Sequence, residues 1–427
     1  MSDKAGSAMI FKEQAFNKRV LIVGAGATGL YAGYLLKAEG IDFQILEASD
    51  KVGGRLGKIE GFADFPLDSG AEWLHGKKSI MGELVKETGT KIKRDKSKEY
   101  YWFKGKLKKK LPRHLEDEME EDENLPDVSF WDFALSKGYG EEYKYIVEQL
   151  AGDYGADSLE LSAKWTIKEE EAFSAGFKDY KFRETYFDLF EKYITPEIQN
   201  SIQLNTVVKI IDYSKDQIQV EDQNGQIYIA DKLILTVPIT VLQDGDIIFN
   251  PSLPQRKTEA FHKIGMGPGM KVFLKFGQKF YDGYVAGGKI CAAYADESWV
   301  KKGEDHVLLA FVMGKQAAHL SSLGSDQKII EALLGELDEI YSGQASTYFL
   351  DAYVVDWGKH PYIRGSYSFS KVGIGNAREI AAQPIDGKIF FAGEAMNLNG
   401  HHQTVHGAAE TAIQQLVNMR DLAGDAS

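Results

Sequence analysis

The sequence predicts an α/β protein with two domains, one discontinuous around a parallel sheet and the other α+β around an antiparallel sheet. Three observations predict this fold. A βαβ pattern opens the chain, an apolar strand followed by a helix ends it, and apolar strands of antiparallel type lie between them. We expect the first domain to comprise residues 17–76, 200–246 and 365–425. The second then comprises residues 77–199 and 247–364.

The elements follow from the pattern of apolar residues. In the opening βαβ unit a buried run, RVLIVGAG, precedes a segment with helical spacing, ATGLYAGYLLKAEG, and a short strand, FQILEA. A hairpin is expected at 99–110, turning at Gly105, then an acidic solvated loop at 116–124 and mainly helices from 144 to 193.

The second half of the chain predicts more strands. Those after residue 200 turn at Asn224–Gly225 and end in the buried run KLILTVP, which could rejoin the parallel sheet. Antiparallel strands are expected in MKVFLKF, ICAAYAD and HVLLAFVM. The last strand, KIFFAGEA, precedes a helix from about Val405 to Met419.

Composition excludes several classes of protein. The single cysteine, Cys291, allows neither an internal disulfide nor a cysteine metal cluster, and we expect no metal site. A net charge of -13 repels nucleic acid and weakly favours a cationic substrate. No apolar run is long enough for a secretory signal or a membrane span. We therefore expect a cytoplasmic protein with neither nucleic acid nor a membrane as partner.

The turn after the first strand carries a glycine motif. Gly24 makes the turn, Gly26 lets the backbone approach a pyrophosphate, and Gly29 lets the helix pack on the strand. Glu47 ends the next strand, where its carboxylate can accept hydrogen bonds from a ribose. This context predicts a Rossmann-type dinucleotide site.

A second loop distinguishes between dinucleotides. The glycine pair Gly53–Gly54 allows this loop to close on the cofactor, and the guanidinium of Arg55 can pair with a diphosphate. The loop favours FAD over NAD.

Three segments carry a family resemblance: VGAGATGLYAGYLLKAEGIDFQILEASDKVGGRLGK, DSGAEWLHG and FFAGEAMNLNGHHQTVHGAAETA. They resemble, in this order, the opening motif, the stretch alongside the flavin and the closing flavin-binding motif of the flavin amine oxidases. This family includes monoamine oxidases, polyamine oxidases and lysine-specific histone demethylases. The resemblance implies FAD as cofactor, a small amine as substrate and dioxygen as electron acceptor.

The same resemblance implies further cofactor contacts. Glu394 would bond the ribityl or diphosphate region, Val208 would contact the adenine through its backbone, and Thr404 would lie at the flavin pyrimidine edge, where helix N-terminal amides stabilise negative charge. The implied set beyond the glycine loops is Gly70, Ala71, Glu72, Trp73, Val208, Trp357, Gly393, Glu394, Thr404 and Val405.

Four residues would act on the substrate. Lys271, at the start of a buried strand, resembles the family lysine that holds a water at flavin N5, although a strand-end lysine can also snorkel to solvent. Trp357 and Tyr367 have the spacing by which the family lines its substrate cavity. His75 resembles the histidine that polyamine oxidases place near the substrate amine, or it is a structural loop-end histidine.

Two positions depart from the monoamine oxidase pattern. Ser366 stands where those enzymes carry the cysteine that bonds to flavin, so we expect noncovalent FAD. Thr404 stands where they carry the second tyrosine of an aromatic pair. The departures favour an extended aliphatic amine, oxidised by hydride transfer to an imine, then an aldehyde, with hydrogen peroxide formed.

Three alternatives stay open. An L-amino acid oxidase needs a cation for the substrate carboxylate. Such enzymes carry a Gly-Ala-x-Arg motif where this chain has Gly70-Ala71-Glu72-Trp73. The carboxylate of Glu72 would disfavour a substrate that carries a carboxylate. A carotenoid or porphyrinogen desaturase would need a broad apolar mouth. A non-catalytic flavoprotein binding module would hold flavin that no amine reduces.

Overall fold

The computed structural model describes residue 10, residues 16–122 and residues 124–424. Residue 425, the last of the first predicted domain, lies outside the described residues. Within the described part of the chain, no helix is both long and apolar enough to span a bilayer.

A five-stranded sheet joins the beginning, middle and end of the chain. All its strands are parallel, and their order across the sheet is Ile202–Gln203, Phe43–Leu46, Val20–Val23, Lys232–Leu235 and Ile389–Phe391. The run KLILTVP therefore joins the parallel sheet, as expected, and its strand Lys232–Leu235 lies between Val20–Val23 and Ile389–Phe391. Parallel strands buried on both faces are expected to be apolar throughout, and Val20–Val23 is fully buried.

Helices and a second sheet cover the two faces of this parallel sheet. The helices Ala27–Ala38 and Val405–Gly424 pack together on one face. The other face carries three short helices, Ile239–Gln243, Gln255–Lys263 and Ala377–Ala382. It also carries a four-stranded sheet, in order Ile227–Ala230, Ile218–Asp222, Val208–Asp212 and Ile248–Asn250.

A seven-stranded sheet forms the other half of the molecule. Its order is Phe349–Asp356, Gly269–Phe276, His306–Met313, Ala293–Asp296, Tyr284–Ala286, Glu99–Phe103 and Lys106–Lys108. The pairing is antiparallel except between Tyr284–Ala286 and Glu99–Phe103. The helices Gly314–Ser322 and Asp326–Tyr341 pack on one face. The predicted hairpin is present, with a positive φ at Gly105.

The acidic segment predicted as a loop is partly a helix, Leu115–Glu120. Leu115 and Met119 lie one turn apart and are 2% and 1% exposed, so the segment buries an apolar stripe and leaves its carboxylates outside it. The high charge of the segment concealed this stripe.

The region predicted to be mainly helical also contains a strand, Asp179–Phe182, which pairs with Trp73–His75 and Ile92–Arg94. The helices around it are Phe130–Ser136, Lys144–Asp153, Ala163–Ala172, Tyr186–Tyr193 and Thr195–Ile198. The remaining elements are the helices Ile80–Thr88 and Gln344–Tyr348 and the strand pairs Lys58–Ile59 with Leu67–Asp68 and Ile264–Met266 with Ser368–Ser370.

Candidate cofactor and substrate site

A cavity of about 1450 Å³ extends from the carboxyl ends of the parallel strands to the seven-stranded sheet. This volume exceeds that of an ordinary small-molecule pocket, about 300–1,000 Å³, so it has room for a cofactor together with a substrate. The predicted site residues that line it are Gly24, Gly26, Glu47, Gly54, Arg55, Gly70, Ala71, Glu72, Trp73, His75, Val208, Lys271, Trp357, Tyr367, Gly393, Glu394, Thr404 and Val405.

The glycine motif forms a cradle at one end of the cavity. At Gly29, a Cβ atom would lie 1.9 Å from the Gly24 carbonyl oxygen, so only glycine lets the helix pack here. At Gly26, a Cβ would meet no atom closer than the Gly53 oxygen at 4.0 Å. The backbone at Gly26 therefore faces open space, and no side chain caps the helix Ala27–Ala38 that follows. Open amides at a helix N-terminus fit a diphosphate.

Glu47 is buried beside this cradle and holds its shape. Its Oε2 accepts a hydrogen bond from the Ala25 amide at 2.6 Å, and its Oε1 accepts one from the Ser49 amide at 2.9 Å. Each carboxylate oxygen can accept a second hydrogen bond. Glu47 can therefore support the loop and still accept from a ribose hydroxyl.

Arg55 and Glu394, both expected to contact the cofactor, contact each other. Arg55 Nη1 donates to Glu394 Oε1 at 2.8 Å and to the Ser366 carbonyl at 2.9 Å. Glu394 Oε2 also accepts from the Ser368 hydroxyl at 2.7 Å and the Gln403 amide at 3.0 Å. Burial opposes ionisation of Glu394, but Arg55 and these donors hold its pKa down to about 2.

Thr404 caps the long helix Val405–Gly424. Its Oγ1 accepts from the Gly407 amide at 2.9 Å and donates to the His401 carbonyl at 2.7 Å. The first helical residue, Val405, lines the cavity, so the amide end of a 20-residue helix points at it.

Lys271 is buried, as predicted, but its surroundings are not only apolar. Its Nζ donates to Glu72 Oε2 at 2.6 Å and to the Asp68 carbonyl at 3.1 Å. The other oxygen of Glu72 contacts Lys181 Nζ. Two lysines thus contact Glu72, one of them shared with Glu297, and the expectation that Glu72 disfavours a carboxylate substrate stays a prediction.

The aromatic residues are fixed by hydrogen bonds. Trp357 Nε1 donates to the Ser69 carbonyl at 2.9 Å. The Tyr367 hydroxyl donates to the Asp153 carbonyl at 3.1 Å. Burial and then the nearby Asp153 raise the pKa of Tyr367 well above its ordinary value. Both rings thus form rigid, uncharged cavity walls.

His75 is half-exposed at the cavity wall, and its Nδ1 lies 2.8 Å from Asp179 Oδ1. A carboxylate in this position orients the imidazole ring and leaves Nε2 as the nitrogen that is free to meet a ligand.

The sequence did not predict one acidic region of the cavity. It is formed by side chains from four separate elements, and we call it the acidic arm: Glu99, Glu116, Glu120, Asp153 and Glu170. Burial and then the neighbouring carboxylates Asp117, Glu120 and Glu99 raise the pKa of Glu116 to about 7. Burial and then Glu116 and Glu120 raise the pKa of Glu170 to about 7. The arm therefore brings together carboxyl groups whose ionised forms repel one another.

His401, His406 and Glu410 lie close enough together to suggest a metal site. The Ser174 amide donates to His401 Nε2 at 3.0 Å, so that nitrogen carries no proton. The proton of His401 is consequently on Nδ1, which donates to Glu410 at 2.8 Å. This hydrogen bond occupies the atoms that a metal ion would need.

The glycine cradle, the buried Glu47 and the cavity wall define a dinucleotide-dependent oxidoreductase. More particularly, the family model for flavin containing amine oxidoreductase matches residues 27–134 and 116–415, and the chain belongs to this family. The cofactor of such proteins is a flavin, which agrees with the sequence-based expectation of FAD.

Several known proteins are similar to the chain. Human lysine-specific histone demethylase 2 is 28% identical over 93% of the chain and 53% of that protein. The chain therefore spans about half the length of this relative. Probable polyamine oxidase 4 of Arabidopsis thaliana is 26% identical over 94% of the chain and 87% of that protein.

Solved structures share the fold. Wild-type putrescine oxidase bound to putrescine superimposes with a TM-score of 0.80 at 20% identity, covering 96% of this chain and 99% of that one. Cyclohexylamine oxidase from Brevibacterium oxydans has a TM-score of 0.81 at 17% identity, covering 96% and 100%.

Proposed function

We propose that the chain is an FAD-dependent oxidase of aliphatic amines that carry a second positive charge, with di- and polyamines as its substrate class. The acidic arm is the observation that carries this proposal. FAD, when bound, would accept a hydride from the carbon next to the amine nitrogen and pass two electrons to dioxygen, giving hydrogen peroxide. The imine product then hydrolyses to an aldehyde and an amine or ammonia.

The chain's own residues fit the cofactor in the first, Rossmann-type domain. The open backbone at Gly26 and the uncapped helix after it would take the diphosphate. Glu47 would accept from the ribose, and Val208 would contact the adenine through its backbone. Thr404 and Val405, at the helix N-terminus, would face the flavin pyrimidine edge.

The reacting face would be dry and aromatic. Trp357 and Tyr367 are held by hydrogen bonds to backbone carbonyls, so they would keep water from the substrate nitrogen and carbon. Lys271 would hold a water molecule through a hydrogen bond from its ammonium group. His75, oriented by Asp179, would accept a hydrogen bond from the substrate nitrogen.

The acidic arm would hold the distal ammonium of the substrate. An ammonium among Glu116, Glu120 and Glu170 relieves their mutual repulsion, which a monoamine cannot do. A long diamine can thus place one nitrogen in the arm and the other at the aromatic wall.

The histone demethylase relatives raise a second substrate, an N-methylated lysine within a peptide. Their matched part covers about half of their length, and the acidic arm would also accept a basic peptide. Free polyamines are favoured because the polyamine oxidase relative matches over 87% of its own length.

An anaerobic screen tests the proposal. The absorbance of bound FAD is followed with spermine, putrescine, benzylamine, L-leucine and an N-methylated lysine peptide at one pH. We expect spermine to bleach FAD with the largest ratio of rate to dissociation constant. L-leucine as the best substrate would instead identify an amino acid oxidase, the peptide a demethylase, and no bleaching a non-catalytic flavoprotein.

A pair of variants tests the acidic arm itself. At pH 8, above the Glu116 pKa of about 7, Glu116→Gln removes one charge from the arm. It should weaken spermine binding by about tenfold, equivalent to about 1.4 kcal/mol, with benzylamine binding unchanged. Glu339→Gln makes the same change of net charge on an exposed helix face outside the cavity. If the two variants weaken spermine binding equally, the net charge of the protein explains the effect and the acidic arm does not bind the substrate specifically.

A further inference from the structure

Lys271 reaches the cavity from within a buried ion cluster. We define this buried ion cluster as Glu72, Lys181, Lys271 and Glu297, whose side chains are each 4% exposed or less. Lys181 Nζ lies 3.0 Å from Glu297 Oε1 and also contacts Glu72 Oε1. The members come from separate segments of the chain, so only the tertiary fold brings them together.

Glu72 is the centre of the cluster because its two oxygens contact different lysines. Oε2 accepts from Lys271 Nζ at 2.6 Å, and Oε1 contacts Lys181 Nζ. Rotation of the Glu72 carboxylate away from Lys271 would also break the ion pair with Lys181, which is held in turn by Glu297. A series of ion pairs through Glu72, Lys181 and Glu297 thus fixes the position of the Lys271 nitrogen.

The hydrogen bonds of Lys271 also define what its nitrogen can still do. An ammonium group has three N–H donors and no acceptor. One bond goes to Glu72 Oε2 and a second to the Asp68 carbonyl at 3.1 Å. Among the described residues no third hydrogen bond of this nitrogen is found, and Lys271 lines the cavity. One N–H therefore remains for a molecule in the cavity.

We infer that Glu72 is a positioning residue, which holds Lys271 as an ammonium donor and directs its one remaining N–H into the cavity. Lys181 and Glu297 support Glu72 in this role. The inference rests on the proposed function, because it assigns Lys271 a task at the reacting face.

The electrostatics of the cluster support a role in geometry. Buried ion pairs add little to stability compared with a well-packed apolar set, since the charges lose their hydration. Three buried titratable side chains around one cavity-facing nitrogen are therefore an inefficient way to fill a core. They are an effective way to fix the direction of a hydrogen-bond donor.

A double-mutant cycle tests the inference with the FAD-loaded protein and spermine. The limiting rate of anaerobic flavin reduction is measured for Glu72→Gln, Lys271→Met and the double variant. We expect Glu72→Gln to slow reduction by at least about tenfold with the spermine dissociation constant within about twofold. The double variant should be no slower than Lys271→Met, because Glu72 acts through Lys271. Multiplied effects in the double variant would overturn the inference.

A buried lysine outside the cavity supplies the matched control. Lys257 is 3% exposed, and its Nζ donates to the Ala381 carbonyl at 2.8 Å and to the Gln383 carbonyl at 2.6 Å. Lys257→Met should lower the unfolding temperature and leave the rate of flavin reduction unchanged. If it slows reduction as much as Glu72→Gln does, general loss of a buried polar side chain explains the data and the inference fails.

The FAD-free protein gives a readout that needs no activity. Glu72→Gln leaves two buried ammonium groups to share Glu297, so among the three variants of the cycle it should have the lowest unfolding temperature. The double variant, which also carries Lys271→Met, should unfold at a higher temperature than Glu72→Gln alone. If the changes in unfolding temperature caused by Glu72→Gln and Lys271→Met simply add in the double variant, Glu72 does not act directly on Lys271. If no amine reduces the flavin, the proposed function fails, and the cycle is instead measured on the visible spectrum of oxidised FAD. Glu72→Gln must then reproduce the spectral change of Lys271→Met, and the double variant must add nothing.

Discussion

Arg55 Nη1 lies 2.8 Å from Glu394 Oε1, and the two residues are 339 positions apart in the sequence. Arg55 belongs to the loop that follows the first βαβ unit, and Glu394 follows the last strand of the parallel sheet. Their contact therefore connects the first and last segments of the chain that build the five-stranded sheet, at the wall of the cavity. Among the residues that the structure describes, Arg55 donates hydrogen bonds only through Nη1, so its other donors stay available to a cofactor.

Glu394→Gln should weaken FAD retention and stability together. The amide leaves the Arg55 guanidinium without a charged partner, a change that costs about 3 kcal/mol when the pair is largely buried. Flavin-to-protein ratio after gel filtration and unfolding temperature measure the two effects. The surface variant Glu339→Gln is the control, and a full complement of FAD in Glu394→Gln would remove Glu394 from the cofactor site.

Glu394 should also make the stability of the folded protein sensitive to acid. Since the folded pKa of Glu394 is about 2, below its ordinary value of 4.5, its contribution to stability is present above pH 4.5 and is lost as the pH falls toward 2. An acid titration of unfolding should show this loss in the wild type. Glu394→Gln should lack it, and an identical acid profile in both proteins would contradict the assigned pKa.

Glu47→Arg should abolish FAD retention, because a guanidinium accepts no hydrogen bond from the ribose hydroxyls or from the Ala25 and Ser49 amides. Glu47→Gln separates the effects, since its single amide oxygen can still accept. We expect it to fold and bind FAD at least about tenfold more weakly, the effect of losing one charged hydrogen bond. Fluorescence titration of the FAD-free protein measures both, and unchanged flavin content in Glu47→Arg would contradict the ribose assignment.

All FAD should be released when the protein is denatured by acid or heat. Ser366 stands where a cysteine would bond to flavin, and its hydroxyl donates to the Gly267 carbonyl at 3.0 Å. Absorbance of the supernatant after precipitation measures the released cofactor. Flavin that stays in the pellet would show a covalent bond elsewhere in the chain.

The sequence predicted best those features that depend on near neighbours. The glycine motif, Glu47 and the strand–helix order lie within one βαβ unit, and the structure places them together. The apolar run at Lys232–Leu235 indicated a strand of the parallel sheet because strands buried on both faces are continuously apolar.

The features that the sequence did not predict depend on distant contacts. Lys181 lies in the strand Asp179–Phe182, which was missed inside a helical region, so its contact with Glu72 had no local signal. Glu116 and Glu120 belong to a helix that resembled a solvated loop, because only Leu115 and Met119 indicate its buried face. Charge clusters in a sequence do not reveal which of their members face a cavity.

The acidic arm should make the FAD-free protein less stable at higher pH. Glu116 and Glu170 have folded pKa values of about 7, above the ordinary 4.5, so the folded state binds their protons more tightly. Their stabilising contribution is complete below pH 4.5 and is lost as the pH rises to about 7. The unfolding temperature of the wild type should therefore fall between pH 5 and pH 8, and that of Glu116→Gln should fall by less. Spermine should raise the unfolding temperature of the wild type more at pH 8 than at pH 5. An equal spermine effect at both pH values would contradict this linkage.

Lys271→Met should leave the fold and bound FAD intact while slowing turnover by on the order of a hundredfold, the range for loss of a positioned catalytic group. The fold should persist because Glu72 keeps Lys181 as its ionic partner. Stopped-flow measurement of flavin reduction by spermine and of reoxidation by dioxygen identifies the affected step.

Lys275→Met is the matched control, since Lys275 is on the same strand and is paired with Asp305 at 2.7 Å outside the cavity. It should change neither half-reaction. If both half-reactions are also unchanged in Lys271→Met, the nitrogen of Lys271 does not act on substrate or cofactor, and its bonds to Glu72 and Asp68 serve the fold alone.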